Sequence, residues 1–299
     1  MPDDSGNRPT YAVVGDALID EIHREGASLE FVGGSALNVA IGLSQLGDQS
    51  TLVAMIGADD DGTAIQAFLG SHDVRLIPTL GPRGSSRAVS SRVGGEPHYE
   101  FNEAARSRRI EFGSASAAAL SEATFVIVSG FPFDDSDQSD ALMAALTNSR
   151  QKLIIDPNPR SGLIHSTARF VTSLERIAAH SLLVKIGDDD AALLYQSSVE
   201  KAASRLISIG ASVVLATSGK DGAAIYTAEG ITVTEEIANL PSPVIDTMGA
   251  GDATLASIAH SIGAGPFPTT DADWRAALHD AMKIAAFTCR HDGAILQLS

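Results

Sequence analysis

Short apolar runs rich in β-branched residues recur along the chain and predict strands. They lie at 11–15, 51–57, 124–130, 152–158, 181–187 and 212–219. The last four are too apolar to leave one face in water, which is typical of strands buried on both sides of a mainly parallel sheet. After Gly222, the runs GAAIYT and GITVTEE predict a hairpin.

Amphipathic stretches separate these runs and predict helices. The predicted helices cover 35–47, about 61–71, 139–149, 168–179, 188–195, 200–209, about 250–263 and 271–290. Strands that alternate with helices in this way predict an α/β fold, a three-layer α/β/α sandwich. No internal repeat or low-complexity linker interrupts the pattern, so residues 1–299 are interpreted as a single domain.

The segment from about 74 to 103 follows a different pattern. Its runs RLIPTL, SRAVSSRV and HYEF are strand-like, turn residues such as Gly94–Pro97 separate them, and no long helix fits. We predict that they form a small sheet apart from the main body, together with strands near Leu18–His23 and Leu29–Val32. Residues about 17–34 and 74–103 would then make a β-sheet lid.

Composition and charge narrow the classes of function. The formal net charge is −16 and the pI is about 4.7. A surface this acidic repels phosphate backbones and anionic lipid, which disfavours nucleic-acid and membrane partners. The lone cysteine, Cys289, cannot form an internal disulfide, as expected in the reducing cytoplasm. No apolar run is long enough to span a membrane, and the polar, acidic first ten residues are interpreted as a frayed tail rather than a signal peptide.

The strongest chemical pattern lies at 244–265, where Gly249, Ala250 and Gly251 lead directly into a predicted helix. Such a turn points backbone N–H groups outward at a helix N-terminus, which stabilises a bound anion. Asp252 at the helix start could accept the proton of a substrate hydroxyl while these N–H groups hold a phosphoryl group. The alternative is an ordinary glycine turn with an N-terminal Asp cap.

Two common phosphate-binding motifs do not fit the chain. A dinucleotide fingerprint requires a third glycine where Thr254 stands, so a nucleotide-dependent oxidoreductase is disfavoured. A P-loop requires a lysine after its last glycine, and GADDDGT at 57–63 carries three acids instead.

Polar residues near the first two strands suit a polyol. Gly33 and Gly34 permit close backbone approach, and Asn38 offers both a donor and an acceptor near the start of the next helix. Asp16 and Asp20 follow the first strand, where a carboxylate can accept hydrogen bonds from two vicinal hydroxyls. The alternatives are a buried helical Asn and ordinary turn aspartates.

Two further strand ends could contact phosphate. Thr217, Ser218 and Gly219 lie at the end of the strand at 212–219 and Gly222 comes after it, and these residues could bind a nucleotide, although GKDG is also a good hairpin turn. Arg160, in DPNPR, could neutralise phosphate or cap a surface turn.

Taken together and in this order, these segments resemble the ribokinase family of carbohydrate kinases, also called the PfkB family. The motif DTMGAGDA at 246–253 is the most specific part of the resemblance. GGSALNVAIGLSQLG at 33–47, KLIIDPNPR at 152–160 and VVLATSGKDGA at 213–223 fall where the family pattern has them. The resemblance spans nearly the whole chain and implies an α/β sandwich with a β-sheet lid, a homodimer formed through that lid, and the use of ATP, Mg²⁺ and, in many members, K⁺.

The resemblance also implies a role for each matching residue. The base would be Asp252, with Gly249, Ala250 and Gly251 as the anion hole. The substrate contacts would be Asp20, Gly34 and Asn38, the nucleotide contacts Thr217 and Gly219, and the residues beside the monovalent-cation loop Asp246 and Met248.

The chain departs from the family pattern at two places. Similar proteins carry Asn-x-x-Glu starting where Gly187 stands, and Asp190 replaces the Glu. That Glu helps to organise the water shell of Mg²⁺, and we expect the shorter Asp190 to take its place. Near the C-terminus, Gly293 and Ala294 are kept but the proline that often follows is missing.

These patterns predict an ATP-dependent phosphotransferase that acts on a hydroxyl of a sugar or sugar-derived metabolite, with a hexose or sugar acid as first choice. A nucleoside or ribose kinase, or a non-catalytic sugar- or nucleotide-binding regulator, stays open as an alternative. In the lid segment FNEAA at 101–105, Glu103 could reach the substrate or could be a solvated surface charge.

Overall fold

The computed structural model describes residues 9–24, 27–93, 96–146 and 152–298. The strands are β1 (Thr10–Gly15), β2 (Leu18–Arg24), β3 (Ala27–Gly33), β4 (Gln49–Ile56), β5 (Arg75–Leu80), β6 (Ser86–Val93), β7 (Glu96–Phe101), β8 (Phe125–Ser129), β9 (Lys152–Asp156), β10 (Leu183–Gly187), β11 (Val213–Thr217), β12 (Ala223–Thr227) and β13 (Thr232–Glu235). The helices are α1 (Ser35–Gln45), α2 (Asp60–Ser71), α3 (Glu103–Arg106), α4 (Ser114–Glu122), α5 (Ser136–Leu146), α6 (Thr167–Ala178), α7 (Asp188–Tyr195), α8 (Val199–Ser208), α9 (Ala250–Ala264) and α10 (Asp271–Thr288).

Within the described residues, nine strands form one large sheet in the order β13-β12-β11-β10-β9-β8-β1-β4-β5. The pairs from β11 to β5 are parallel, and β12 and β13 add the predicted antiparallel hairpin at one edge. The chain moves outward from β1 in both directions, so the strand order switches between β1 and β8. Such a switch opens a crevice at the carboxyl ends of the strands, where ligands of open α/β sheets bind.

Helices cover both faces of this sheet and make the predicted three layers. One apolar core lies between the sheet and α1, α2, α9 and α10, and the other between the sheet and α4 to α8. The helices α1 and α9 have almost no polar face and are buried over most of their length. They pack against each other, and this brings the two glycine-rich turns that precede them to the same end of the sheet. Among the described residues, no helix combines the length and apolar character that crossing a membrane requires.

The small sheet has the order β3-β2-β6-β7, with a parallel central pair and an antiparallel strand on each side. One strand predicted for it is elsewhere. Arg75–Leu80 pairs in parallel with β4 at the edge of the large sheet, because its apolar side chains continue the core there. The helix Ser114–Glu122 was not predicted. The predicted tail is outside the described residues except for Pro9 and Thr10, as are Gly94 and Gly95 of the predicted turn and the end of the helix predicted at 139–149.

Arg87 links the small sheet to the helix α2, which packs on the large sheet. On β6, its guanidinium forms two hydrogen bonds with Asp61 of α2, Nε to Oδ2 at 2.5 Å and Nη2 to Oδ1 at 2.7 Å. Its Nη1 also donates to Glu30 on β3 at 2.8 Å. Bidentate pairing of this kind fixes orientation as well as adding energy. The side chain of Arg87 is 28% exposed, so water screens this network only in part.

We expect Arg87→Met to lower the free energy of unfolding by about 2 kcal/mol, within the range for hydrogen bonds to charged groups. Urea denaturation would measure the change. The matched control is Arg83→Met, which removes an ion pair to Glu103 whose partners are 51% and 71% exposed. A pair so exposed contributes less than about 1 kcal/mol. Equal effects of the two substitutions would contradict the expectation.

Candidate active site

All the predicted substrate residues except Glu103 lie near the crevice between β1 and β8. Asp16 follows β1, Ser129 ends β8, and α1 begins at Ser35 after the turn at Gly34. The helix α9 enters from the other side and presents Asp252 in its first turn. Residues far apart in the sequence therefore meet at one end of the large sheet.

Asp252 is buried and is held by two side chains of α1. The hydroxyl of Ser35 donates to Oδ1 at 2.7 Å, and Nδ2 of Asn38 donates to Oδ2 at 2.8 Å. The Oγ atoms of Ser35 and Ser129 are 2.6 Å apart. Since Ser35 has one hydroxyl proton and gives it to the carboxylate, Ser129 donates to Ser35. This chain of donors fixes the carboxylate plane.

Burial raises the pKa of Asp252, because a carboxylate withdrawn from water favours its neutral form. The hydrogen bonds from Asn38 and Ser35 oppose this shift, as do the positive charges of Lys185 and Arg160. A carboxylate with a raised pKa is a stronger base than a solvated one, which suits the transfer of a proton from a hydroxyl.

Asn38 keeps an unused acceptor. Its Nδ2 is engaged with Asp252, while its buried Oδ1 has no hydrogen-bond partner in the part of the chain that the structure describes. Orphaned buried acceptors are costly and point to a missing donor. A ligand hydroxyl in the crevice would satisfy this atom.

Two further carboxylates face the same crevice. Asp16 accepts the N–H of Ala36 through Oδ1 at 3.0 Å, and burial raises its pKa. Asp20 stands on β2 of the small sheet, and a Cβ placed on Gly33 would lie 2.5 Å from its Oδ2, so Gly33 leaves room for this carboxylate. Burial, and then the negative charge of Asp16, raise the pKa of Asp20 to about 7.

The turn before α9 has the geometry of an anion site. Gly249 adopts φ 76°, a left-handed conformation, and immediately precedes the helix. A Cβ on Gly249 would lie only 2.0 Å from the carbonyl oxygen of Ala294, so no larger residue fits there. The first N–H groups of a helix have no partner within it, and those of Ala250 and Gly251 belong to this set. The N–H of Ala250 makes one long contact, at 3.4 Å, with the carbonyl oxygen of Thr247 before the helix.

A cleft of about 880 Å³ extends from Asp252 along the carboxyl ends of β10 and β11. The residues that line it include the predicted nucleotide contacts Thr217, Gly219 and Gly222. Ile22 and Ser90 of the small sheet also line it, so the lid borders the cleft. The volume is large enough for a nucleotide, because drug-sized ligand sites measure about 300–1,000 Å³.

The predicted metal residues lie on the same cleft. Asp190 is buried at the start of α7, and its Oδ2 accepts the backbone N–H of Gly187 at 2.8 Å. Asp246 accepts the N–H of Met248 through Oδ1 at 3.1 Å, and both residues line the cleft. The backbone N–H of Asp246 also donates to the carbonyl of Cys289 at 3.2 Å, so this loop packs on the C-terminal segment.

Glu103 is not brought to the crevice. It begins the short helix α3, its side chain is 71% exposed, and it pairs with Arg83. It lines neither the large cleft nor a smaller cavity beside α3. This placement corresponds to the surface-charge alternative, and contact between Glu103 and the substrate stays a prediction.

Sequence reasoning missed several polar residues of the site. Ser35, Ser129 and Lys185 were not singled out, although all three are buried beside Asp252 or the cleft. Lys185 could have been found from the sequence, because a lysine inside the apolar strand SLLVKIG has no solvent-exposed face of the strand to occupy. The serines carried none, since serine is common in loops and helix starts.

The chain is similar in sequence to known carbohydrate kinases. A family model described as pfkB family carbohydrate kinase matches residues 9–299. A fructokinase of Rhizobium leguminosarum bv. trifolii is 30% identical over 260 residues, which is 83% of this chain and 78% of the relative. A fructokinase of Salmonella typhimurium is 26% identical and covers 86% of this chain and 85% of its own length.

Solved structures show the same fold. Fructokinase from Vibrio cholerae O395, in a form with fructose, ADP and a calcium ion bound, superposes with a TM-score of 0.80 at 18% identity and covers 96% of this chain and 95% of its own. Aminoimidazole riboside kinase from Salmonella enterica, complexed with its riboside and an ATP analogue, gives a TM-score of 0.77 at 20% identity with the same coverage. The predicted α/β/α sandwich with a small lid sheet is confirmed.

Proposed function

This chain belongs to the pfkB family of carbohydrate kinases, and from that premise we propose that it transfers the γ-phosphoryl group of ATP to a hydroxyl of a hexose or sugar acid, with Asp252 as the base. The observation that carries the proposal is the position of Asp252. Its carboxylate is oriented by two donors of α1 where the crevice at β1 and the nucleotide-sized cleft meet.

The proposed reaction is an in-line displacement. The acceptor hydroxyl oxygen forms a bond to the γ-phosphorus, its proton passes to the carboxylate of Asp252, and the bond from phosphorus to the β–γ bridging oxygen breaks to release ADP. The N–H groups of the turn at Gly249 to Gly251 would hold the transferring oxygens. Phosphoryl transfer requires little covalent chemistry from the protein, so positioning and charge neutralisation carry most of the rate enhancement.

The acceptor would lie among Asp16, Asp20 and Asn38. Two carboxylates and an amide oxygen without a partner are all acceptors, which suits a ligand that offers several hydroxyl donors. Gly33 and Gly34 would let the ligand approach the backbone. Relatives that phosphorylate fructose favour a hexose, and a riboside is the alternative suggested by the structural neighbour that binds one.

The residues present fit Mg²⁺ that arrives with ATP. In phosphotransfer sites Mg²⁺ binds through one or two carboxylates, substrate phosphates and waters. The described residues hold no group of three or more His, Cys, Asp or Glu side chains able to bind a metal by themselves, in keeping with an ion held largely by ATP. The second carboxylate oxygen of Asp190 would be available to a water of the metal shell. Bound Mg²⁺ would neutralise charge on the β- and γ-phosphates.

Two finer features stay part of the proposal. The loop that contains Asp246 and Met248 is proposed to lie beside a K⁺ site, and turnover measured with K⁺ replaced by a bulky organic cation would test this. The lid sheet is proposed to form a homodimer interface, which sedimentation of the wild-type chain would test.

A coupled ADP-release assay with ATP, Mg²⁺ and K⁺ tests the main proposal. The acceptor panel contains hexoses, pentoses, keto-sugar acids and nucleosides. We expect turnover with a hexose or sugar acid. Turnover with a riboside alone would correct the acceptor class, and ATP binding without ADP release for any acceptor would favour a non-catalytic regulator.

The pH dependence of acceptor binding should follow Asp20. Since its pKa is raised to about 7, Asp20 is protonated below this pH and loses its charge-assisted hydrogen bonds to the acceptor. We therefore expect KM for the acceptor to fall as the pH rises through about 7. In Asp20→Asn this dependence should vanish, with a KM that is high throughout. An unchanged pH profile in the variant would assign the titration to another group.

The pH dependence of the stability of the unliganded protein provides a control, because stability should fall over the pH range in which acceptor binding improves. The folded pKa of Asp20 lies above its ordinary value of 3.8, so the folded state binds more protons between these two values and stability falls as the pH rises through them. Asp20→Asn is therefore expected to raise Tm at pH 8, measured by calorimetry, while it weakens acceptor binding.

A further inference from the structure

Lys185 is a buried cation on the floor of the nucleotide cleft. It stands on β10, the residue is 6% exposed, and it still lines the cleft. Its Nζ is 3.1 Å from both carboxylate oxygens of Asp156, which ends β9 and is fully buried. The two-pronged contact fixes the ammonium in one place, since the neighbouring strands that carry both residues are paired in register.

The ammonium lies directly against the proposed anion hole. A Cβ placed on Gly251 would be 3.2 Å from Nζ and 3.4 Å from Cε of Lys185. Gly251 lies in the first turn of α9, between Ala250 and Asp252, so the ammonium sits beside the N–H groups expected to hold the transferring phosphoryl group. A lysine ammonium has three donors, and the contact with Asp156 leaves donor capacity on the side facing the cleft.

The charges around Lys185 also favour contact between its ammonium and a bound phosphate group. Three carboxylates, those of Asp156, Asp190 and Asp252, act on Lys185 and stabilise its charged form, which opposes the cost of burial. A polyphosphate entering this acidic region needs fixed positive charge. Lys185 supplies it in a water-poor setting, where an ion interacts more strongly than it does at the surface.

We propose that Lys185 is a catalytic residue that contacts the transferring phosphoryl group from the Gly251 side, with Asp156 as the residue that positions it. This inference rests on the proposed function, because it assigns the phosphoryl group to the anion hole of that site. It gives the glycine at position 251 a second role, since a Cβ there would lie 3.2 Å from the ammonium and crowd it.

Three variants separate catalysis from a structural role. Lys185→Met removes the charge but leaves Asp156 buried and unpaired, which is itself destabilising. Lys185→Met/Asp156→Asn removes that unpaired charge as well. Lys185→Arg keeps a cation in a larger shape. Each would be assayed for kcat with the acceptor found for the wild type, and its binding of ADP and of the non-hydrolysable analogue AMP-PNP would be measured by calorimetry with Mg²⁺.

We expect kcat to fall by about 100-fold in both Lys185→Met and the double variant, comparable to loss of one oxyanion-hole donor. Affinity for AMP-PNP should fall while affinity for ADP, which has no γ-phosphoryl group, stays unchanged. Lys185→Arg should keep more activity than Lys185→Met. Recovery of kcat in the double variant, or equal losses of ADP and AMP-PNP affinity, would overturn the proposal.

The binding measurements also keep the two proposals apart. If the wild type turns over no acceptor, the proposed function fails. The ratio of AMP-PNP to ADP affinity in wild type and Lys185→Met still decides whether Lys185 contacts the γ-phosphoryl group.

Discussion

Asp252→Asn is expected to lower kcat by at least about 100-fold, because removal of a general base costs about 10²–10⁴-fold. The asparagine keeps the shape of the side chain but cannot accept the hydroxyl proton. It also replaces a carboxylate whose burial raises its pKa, so the variant should fold at least as well as the wild type. Steady-state ADP release, with Tm measured on the same preparation, tests both expectations.

Asp271→Asn is a matched control for this prediction. Asp271 also lies in the first turn of a helix, α10, but is exposed and lines neither of the two described cavities. We expect its kcat to equal that of the wild type. Near-normal turnover in a clean Asp252→Asn preparation would remove Asp252 from the role of base and leave the acceptor proton without an assigned destination.

Gly249→Ala is expected to affect both stability and turnover. Its left-handed φ of 76° costs a residue with a Cβ about 1–2 kcal/mol. The new Cβ would also meet the carbonyl of Ala294 at 2.0 Å, and overpacking of this kind costs about 1–3 kcal/mol more. Relief of the overlap requires the turn to move away from the C-terminal segment, which misaligns the N–H groups next to Asp252. Urea denaturation and kcat would both report the loss.

Gly265→Ala, at the opposite end of α9, provides the comparison. Its backbone is extended and a Cβ there would meet nothing within 4 Å. We expect this substitution to change stability by less than about 0.5 kcal/mol, as for most surface positions. If Gly249→Ala behaves in the same way, the turn is less constrained than the structure indicates and its role as a rigid anion hole is wrong.

The sequence predicted the layers of the fold because its strands and helices have distinct periods. Runs such as 124–130 and 212–219 have no polar face and can lie only in the middle of a covered sheet. The strand Arg75–Leu80 was assigned to the wrong sheet because it contains Pro78 and exposed residues, which are typical of an edge in either sheet. Its pairing with β4 is set by tertiary packing, which no local sequence pattern encodes.

The residues of the candidate site could be predicted where one short segment contains them. The turn at 249–252 combines small residues, a helix start and a carboxylate within four positions, and the structure has all of them on the cleft. Ser35 and Ser129 could not be found in this way, because their role depends on a contact between α1 and the end of β8. Glu103 was predicted as a substrate contact from its place in the lid segment. The structure has it at the surface, paired with Arg83.

The contacts at Asp252 join segments that leave the ribosome at very different times. Asn38 and Asp252 are 214 positions apart, and Ser35 and Ser129 are 94 apart. During translation α1 is complete long before α9, the helix that covers it, so its apolar surface stays open to wrong partners. Contacts of such sequence separation also slow folding. A nascent or truncated chain that ends before α9 would therefore hold much of the parallel sheet, lack Asp252, and depend on chaperones to stay soluble.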